Sequence, residues 1–268
     1  MSSTALGLAL GAAVLHAAWN LLLAGSRDVL AATAVALGSS LLLAAPVAIA
    51  TWDVEREAVP WLVASGALEL VYFFSLAAAY QRADVSLVYP IARGGAPVLV
   101  LAWSLAFGAE LGASEVAGVL AVAAGVVLVR GFGHGDRVGV VFGVVIAVLI
   151  AAYTLVDSEG IEFADPVPYL LLILVPTTVA ATLATGPARL RARRELRTVL
   201  AGCAGFVAYV LVLAAYRLAP AAVVSAVRET SVLFAVALAA PVLRERVPPW
   251  RLAGAALMVV GVAAIALG

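Results

Sequence analysis

Long apolar segments separated by short polar connections follow one another along the whole chain. Each segment holds about 20 residues with few charges, which is the length that a helix needs to cross the hydrocarbon core of a bilayer. The connections between them are only a few residues long, so we expect no separate soluble domain. The pattern predicts ten membrane-spanning helices, at residues 4–23, 29–51, 59–80, 85–107, 112–130, 138–157, 167–186, 198–217, 221–243 and 249–267.

The composition supports a membrane protein. Hydrophobic residues make up 65% of the chain and charged residues 12%, whereas soluble domains are roughly half apolar and a quarter charged. The formal net charge is +0, so no overall basic field favours binding to nucleic acid. The first residues lack the basic segment and the cleavage site of a signal peptide, and we therefore expect the first apolar segment to remain as a span.

The residue types also exclude several kinds of chemistry. All 16 residues counted as Lys or Arg are Arg, so no lysine can form a Schiff base. The single Cys203 cannot make an internal disulfide, and His16 and His134 are too far apart in the sequence to suggest a metal site. The sequence contains no nucleotide-binding P-loop, and we expect no cofactor.

The two halves of the chain carry similar residues in the same order. Arg93 precedes Glu110 by the same separation at which Arg228 precedes Glu245. Because five spans per half is an odd number, the second half enters the membrane from the opposite side, which makes the halves an inverted repeat. We therefore predict an all-α polytopic membrane protein with ten transmembrane helices, arranged as two inverted five-helix repeats (residues 1–133 and 134–268) around a central cavity. The glycines that follow also correspond, Gly118 and Gly125 to Gly254 and Gly261.

Several ionisable side chains fall deep inside the predicted spans. A charge at the bilayer centre costs at least ~2.5–3.5 kcal/mol on insertion scales, so such residues normally face a cavity and have a partner. Arg93 lies roughly 12 Å from one surface and Arg228 roughly 10 Å from the other, because a helix rises about 1.5 Å per residue. The inverted topology brings both toward one central layer. The whole set is Glu69, Arg93, Arg228 and Glu229, with His16 as a fifth group.

The segment around Arg93 predicts an interrupted helix. Pro90 and Pro97 each remove a backbone donor, and Gly94 and Gly95 lie between them. Broken helices with a charge near the membrane midplane are typical of the places where transporters hold their substrates. The alternative is a packing kink whose arginine is neutralised inside the protein.

The four charges inside the spans add up to zero, which suits a zwitterionic ligand such as an amino acid. An arginine can bind its carboxylate through two hydrogen bonds, and a glutamate can accept from its ammonium group. The alternative is that the charges only hold the fold, with Glu69 paired to Arg93 and Arg228 to Glu229. Aromatic and polar side chains that could line the same cavity are Trp19, Asn20, Tyr72, Tyr89 and Tyr153.

Four short motifs lie within these repeated five-span halves. They are His16-Ala-Ala-Trp19-Asn20, Tyr89-Pro90-Ile-Ala-Arg93-Gly94, Ala-Tyr153-Thr-Leu-Val-Asp157 and Arg228-Glu229-Thr230-Ser231. Together with the repeat they resemble the EamA family of the drug/metabolite transporter superfamily, over essentially the whole chain. The resemblance implies a ten-helix secondary transporter, often an exporter of amino acids or other metabolites, with its site in a central cavity between the halves. It is specific for the fold and weak for the substrate.

Charges near the helix ends bear on the orientation in the membrane. The connection at residues 189–197 holds five arginines and one glutamate, and the positive-inside rule places this side in the cytoplasm and both termini outside. The family resemblance favours the opposite orientation, so both orientations stay open. Asp157 stands beside Ser158 and Glu159 and is expected at a solvated helix end.

These observations favour a secondary transporter that exports a small polar or zwitterionic metabolite by alternating access, with protons exchanged at Glu69 or His16. The expected partners are the small-molecule substrate, the lipid bilayer and protons. By the resemblance we expect a multi-pass protein of a bacterial inner membrane, as a monomer or a homodimer. The alternative is a non-transport membrane protein, either an intramembrane enzyme or a scaffold. The sequence lacks the Ser/His pair or metal motif of such an enzyme, and the central charges disfavour a scaffold.

Overall fold

The computed structural model is a bundle of α-helices joined by short connections. It describes residues 1–24, 26, 28–130, 137–193, 195–235, 237 and 248–268. Single 3-10 turns, Arg56–Ala58 and Ile161–Phe163, lead toward the third and seventh helices. The helices are α1 (Ser3–Leu23), α2 (Val29–Ala50), α3 (Val59–Arg82), α4 (Val85–Ala106), α5 (Ala113–Arg130), α6 (Arg137–Gly160), α7 (Pro166–Thr185), α8 (Pro187–Arg191), α9 (Leu196–Tyr216), α10 (Ala221–Arg228) and α11 (Pro249–Leu267).

Short sequence signals determine where these helices begin and end. The side chains of Ser2 and Asp28 accept backbone hydrogen bonds from the first turns of α1 and α2, as N-cap residues do. Proline stands in the first turn of α3, α7 and α11, where its missing N–H removes no helical hydrogen bond. Helix α7 is followed by its C-cap residue Gly186, whose φ of 79° favours glycine.

The helices are suited to a membrane. Within the described residues, eight are long and apolar enough to cross a bilayer, and the apolar helix at residues 113–129 is shorter. Their outer faces carry exposed apolar side chains, such as Leu42 and Leu183, each 78% exposed. Such a surface is favourable only against lipid. The chain is therefore a multi-pass integral membrane protein.

The predicted spans other than 221–243 coincide with helices to within three residues. The predicted break in the fourth span is wrong, because α4 runs without interruption through Pro90 and Pro97. Helices α5, α6 and α10 pack against α4, and this packing outweighs the hydrogen bonds that the prolines remove. A break occurs instead in the ninth span, where α10 ends at Arg228 and the helix resumes at residues 231–235. Residues 236 and 238–243 of that predicted span lie outside the described part of the chain.

Small residues form the closest contacts between helices. A Cβ atom on Gly118 of α5 would lie 2.6 Å from the carbonyl oxygen of Gly261 on α11, and one on Gly125 would lie 2.7 Å from that of Gly254. These corresponding glycines therefore allow α5 and α11 to approach each other closely inside the bundle. Helix α1, which packs against α9, buries only alanines: Ala5, Ala9, Ala12, Ala13 and Ala17.

An ion pair joins two connections at one end of the bundle, which we call the Asp28 end. Arg189 of α8 donates from Nε and Nη2 to the two carboxylate oxygens of Asp28, at 2.8 and 2.7 Å. Asp28 also accepts from the N–H of Ala31 in the first turn of α2. The hydrogen bonds from Arg189 hold the pKa of Asp28 below its ordinary value.

We expect Asp28→Asn to lower the thermal stability more at neutral pH than at low pH. Asparagine can still cap α2, so the substitution removes mainly the charge. Because the pKa of Asp28 is depressed in the folded state, its contribution is present above its ordinary value of 3.8 and is lost as the pH falls through the folded value. Melting temperatures of both proteins in detergent at about pH 7 and about pH 3 measure this. A difference that is equal at both pH values would contradict the role of the ion pair.

The opposite end of the bundle, which we call the Asp165 end, joins the connections at residues 51–58 and 161–165. Val54 and Ala164 form an isolated antiparallel bridge. These contacts involve the main chain, so they link the first and second halves of the chain through peptide groups. The flanking hydrogen bonds run from the N–H of Glu55 to the carbonyl of Phe163, 2.9 Å, and from the N–H of Asp165 to the carbonyl of Asp53, 2.8 Å.

Arg217, which follows α9, reinforces the Asp165 end. Its guanidinium donates to the carbonyl oxygens of Ile161 at 3.0 Å and of Ala164 at 2.7 Å, and it pairs with Asp165 at 3.2 Å. One side chain thus satisfies main-chain acceptors that the short 3-10 turn leaves free. Among the described residues, the Asp28 end is therefore held by a side-chain ion pair, whereas the Asp165 end is also held by main-chain hydrogen bonds.

Candidate functional site

A cavity lies in the half of the bundle nearer the Asp28 end, between α1, α3, α4 and α6. It contains about 520 Å³ of space, part of which is open to the outside. Its polar and aromatic wall residues are Trp19, Asn20, Tyr72, Tyr89 and Arg93, all of which were predicted as site residues. The remaining wall is aliphatic: Leu76, Ala79, Val88, Ala92, Ile146 and Ile150.

Arg93 is the charged residue of this wall, and its guanidinium is held on three sides. Nη1 lies 3.4 Å from Oε1 of Glu229, and Nη2 lies 3.0 Å from Nε2 of His16. The guanidinium carbon stands 5.5 Å from the centre of the Tyr89 ring, within the range of a cation–π contact. The side chain is 11% exposed, so it is largely buried while part of it still meets the cavity.

His16 has more hydrogen-bond donors around it than it can accept. Arg93 approaches its Nε2, and the indole N–H of Trp19 lies 3.3 Å from its Nδ1. Both of these side chains are donors only, and a neutral imidazole offers one acceptor nitrogen. One of the two N–H groups therefore lacks a good acceptor. The side-chain amide of Asn20 does not relieve this, because it donates to the backbone carbonyl of His16 at 2.8 Å.

The break after α10 positions the second arginine of the site. The N–H groups of Glu229 and Thr230 bond to carbonyls three residues earlier, both at 3.1 Å, as in a 3-10 turn. Oε1 of Glu229 lies 3.9 Å from Nη2 of Arg228 as well as near Arg93, so one buried carboxylate stands between two guanidinium groups. Within the described part of the chain, Nε and Nη2 of Arg228 and Oε2 of Glu229 have no hydrogen-bond partner.

Of the two ion pairs considered in the sequence-based alternative, Arg228 with Glu229 is present among the described residues and Glu69 with Arg93 is not. Arg93 pairs with Glu229 and not with Glu69, because α10 packs closely against α4 whereas α3 touches α4 at only a few points. Glu69 is half-buried on α3, does not line the cavity and forms no ion pair among the residues that the structure describes. The ion-paired cluster of Arg93, Arg228 and Glu229 has a formal charge of +1.

A layer of tyrosines lies between the cavity and the Asp165 end. The ring centres of Tyr72 and Tyr153 are 5.8 Å apart, and those of Tyr153 and Tyr209 are 6.3 Å apart, both with the edge of one ring against the other. Tyr153 therefore lies behind the cavity wall and not in it. The hydroxyl of Tyr209 donates to Oδ2 of Asp157, and the hydroxyl of Tyr169 donates to Oδ1 at 3.1 Å.

Asp157 is fully buried, with 0% exposure, so the predicted solvated helix end is wrong. Helix α6 continues to Gly160, which keeps Asp157 inside the bundle beside α7 and α9. Its spacing of four residues from Tyr153 would have placed it on the inner face of the helix. Tyr209 was also missed, because a single tyrosine in an apolar span has no informative spacing. Within the described ranges, no group of His, Cys, Asp or Glu gathers to form a metal site.

We expect Asp157→Ala to lower the free energy of unfolding by ~1–3 kcal/mol, because the buried hydroxyls of Tyr169 and Tyr209 lose their acceptor. The double variant Asp157→Ala/Tyr209→Phe should cost less than the sum of its single changes, since only one hydroxyl is then left unpaired. Unfolding in detergent measures all three proteins. The exposed Glu159 two residues away provides the control, and Glu159→Ala should change little. Additive single effects would contradict the shared hydrogen bond.

The chain is similar to known proteins by sequence in one half and by fold over its whole length. Residues 137–267 match the model of the EamA-like transporter family. No curated protein sequence matches the chain significantly. A solved structure described as "Crystal structure of protein" has a TM-score of 0.80 and 17% sequence identity, covering 100% of this chain and 98% of that chain. At this identity the likeness concerns the fold.

Proposed function

We propose that the chain, whose residues 137–267 match the EamA-like transporter family of the drug/metabolite transporter superfamily, is a secondary transporter that exports a small polar metabolite by alternating access. The family consists of transporters and not of enzymes. The observation that carries the proposal is Arg93, a largely buried guanidinium that reaches the wall of the cavity. A charge in such a position normally serves a substrate or ion pathway.

The substrate is held, in this proposal, by the predicted site residues of α1, α3 and α4. Arg93 binds an anionic group, for which its planar guanidinium is well shaped. Trp19, Tyr72 and Tyr89 surround the rest of the substrate, and Asn20 contributes a neutral side-chain amide to the cavity wall. An amino acid, the ligand expected from the sequence, carries the required carboxylate. His16, Arg228 and Glu229 position Arg93 from behind.

The helix contacts support two inverted repeats, residues 1–133 and 134–268. In such a repeat each helix of the first half has a counterpart five spans later. The short α8 is not a span, so α1 corresponds to α6 and α3 corresponds to α9. The contact of α1 with α9 then corresponds to that of α6 with α3, and both are present. Likewise α2 meets its own counterpart α7, and α5 meets its counterpart α11. These are the contacts that a two-fold axis in the membrane plane would generate.

We also propose that transport is coupled to protons and that the protein has a defined membrane location and orientation. Glu69 or His16 exchanges protons during the cycle, since both are ionisable groups inside the bundle near the cavity. The protein resides in a bacterial inner membrane, as a monomer or a homodimer. Its orientation follows either the arginine-rich connection at residues 189–197, which then faces the cytoplasm, or the family resemblance, which places the termini there.

Transport by the purified chain in liposomes tests the proposal. Vesicles loaded with a mixture of amino acids and other small metabolites should lose at least one component faster than protein-free vesicles. Arg93→Lys should slow that loss, whereas Arg56→Lys, at an exposed arginine outside the cavity, should not. Equal loss from vesicles with and without the protein would refute a transport function.

A further inference from the structure

We infer that the cavity selects a singly charged anion with an apolar body, such as an aromatic monocarboxylate, over the zwitterion of the same shape. This selection rests on the proposed function, because it takes the cavity as the substrate site. It narrows that function from small polar metabolites in general to one class of substrate. The charge of the arginine cluster, its surplus of hydrogen-bond donors and the apolar wall of the cavity point to this class.

The charge of the cluster favours one added negative charge. Arg93 and Arg228 share the carboxylate of Glu229, so this ion-paired cluster has a formal charge of +1. A bound monocarboxylate brings the total charge of cluster and ligand to zero. A zwitterion leaves this total at +1, and an amine raises it. In a buried site an uncompensated charge is costly, so a ligand that neutralises the cluster binds best.

The donors of the cluster favour a ligand that only accepts hydrogen bonds. Arg93 and Trp19 both direct N–H groups at His16, which can accept from one of them. Behind the wall, Nε and Nη2 of Arg228 and Oε2 of Glu229 lack hydrogen-bond partners among the described residues, so the buried cluster has two unpaired donor atoms against one unpaired acceptor. A carboxylate supplies two acceptor oxygens and no donor, whereas an ammonium group adds three donors to a site that already has too many.

An ammonium group would also find no carboxylate among the described residues of the cavity wall. In an α-amino acid the ammonium and carboxylate groups share one carbon, so the ammonium group lies within a few Å of the guanidinium that holds the carboxylate. Glu229 is 1% exposed and already stands between two arginines. Glu69 does not belong to the wall. The second charge of a zwitterion is therefore placed beside a like charge without compensation.

The rest of the wall fits an apolar body. Aliphatic side chains from three helices, including Leu76, Val88 and Ile150, form much of its surface. The rings of Trp19 and Tyr72 complete it and can pack against an aromatic ring of the ligand. A ligand body with several hydroxyl or amide groups would leave them unpaired against the aliphatic side chains, which is unfavourable.

Three ligands with the same benzene ring and different charges test the selection. They are 3-phenylpropanoate, an anion, L-phenylalanine, a zwitterion, and 2-phenylethylamine, a cation. Calorimetric titration of the full chain in detergent should show 3-phenylpropanoate binding at least about tenfold more tightly than L-phenylalanine, and no binding of the amine. Arg93→Gln should abolish binding of the anion, and Arg93→Lys should weaken it while keeping the order of the three ligands. Arg56→Lys, outside the cavity, should bind as the wild type does.

Several results would overturn the inference, and one of them would also overturn the proposed function. If L-phenylalanine binds as tightly as 3-phenylpropanoate and loses affinity in Glu69→Gln, then Glu69 holds an ammonium group and the cavity prefers zwitterions. If none of the three ligands binds but the liposomes transport a polar metabolite, the inferred substrate class is wrong, and the proposed transport function is retained. If none binds and the liposomes transport nothing, the cavity is not a transport site.

Discussion

Arg93→Lys leaves the protein folded and lowers transport of its substrate at least about tenfold, since a lysine loses the two-pronged geometry that arginine offers to a carboxylate. The guanidinium of Arg93 reaches Glu229 with one nitrogen and His16 with another while part of the group still meets the cavity. An ammonium group is a compact point charge, so it cannot keep both contacts and bind a ligand as well. The positive charge beside Glu229 is retained, which protects the fold.

Liposome flux and thermal unfolding together test this expectation. Arg93→Ala provides the contrast, because it leaves the buried Glu229 with Arg228 alone, and breaking a buried ion pair costs ~3–5 kcal/mol. The alanine variant should therefore lose stability as well as transport, whereas the lysine variant should lose only transport. Wild-type flux in Arg93→Lys, together with an unfolded Arg93→Ala, would show that Arg93 serves the structure and not the substrate.

We expect Gly202→Ala to destabilise the protein strongly, by ~3 kcal/mol or more in the free energy of unfolding. Gly202 lies on α9 where it meets α2, and a Cβ atom there would overlap the carbonyl oxygen of Ala36 and lie 2.7 Å from its carbonyl carbon. The obstructing atoms belong to the backbone, so no side-chain rotation can relieve the overlap. The two helices must separate, which also disturbs the neighbouring contact of α1 with α9.

Gly7→Ala is the matched control for Gly202→Ala. Gly7 also lies within a helix, α1, but a Cβ atom there meets nothing within 4 Å. Alanine has the higher helix propensity, so this change should be neutral or stabilise slightly, by up to ~1 kcal/mol. Melting temperature and expression level of the two variants, measured side by side, separate packing from propensity. Equal effects of the two substitutions would contradict the close approach of α2 and α9.

The positions of most helices could be predicted from the sequence because membrane spans have a simple local cause. About 20 apolar residues between polar breaks determine a span without reference to the rest of the fold. The same local reasoning failed at α4, where Pro90 and Pro97 predicted a break. Whether a proline interrupts a helix depends on what packs around it, and contacts with α5, α6 and α10 are not local information.

In the candidate site, too, features with a local cause could be predicted from the sequence, and features that depend on packing could not. Burial of Arg93 and Glu229 could be predicted, since their depth follows from counting residues along a span. The partner of Arg93 could not be predicted, because Glu69 and Glu229 lie at similar depths and only the packing of α10 against α4 selects one of them. Asp157 was assigned to solvent from its polar neighbours in sequence, yet its neighbours in space are Tyr169 and Tyr209.

The main-chain link at the Asp165 end has a consequence for how this protein can change during evolution. The hydrogen bond from the N–H of Glu55 to the carbonyl of Phe163 does not depend on the side chain of Glu55, so position 55 can vary without loosening the link. Proline is the exception, because it lacks the N–H that Glu55 donates. The φ of −76° at Glu55 would otherwise accept proline without strain. Related carriers are therefore free to vary at position 55 in every way but one.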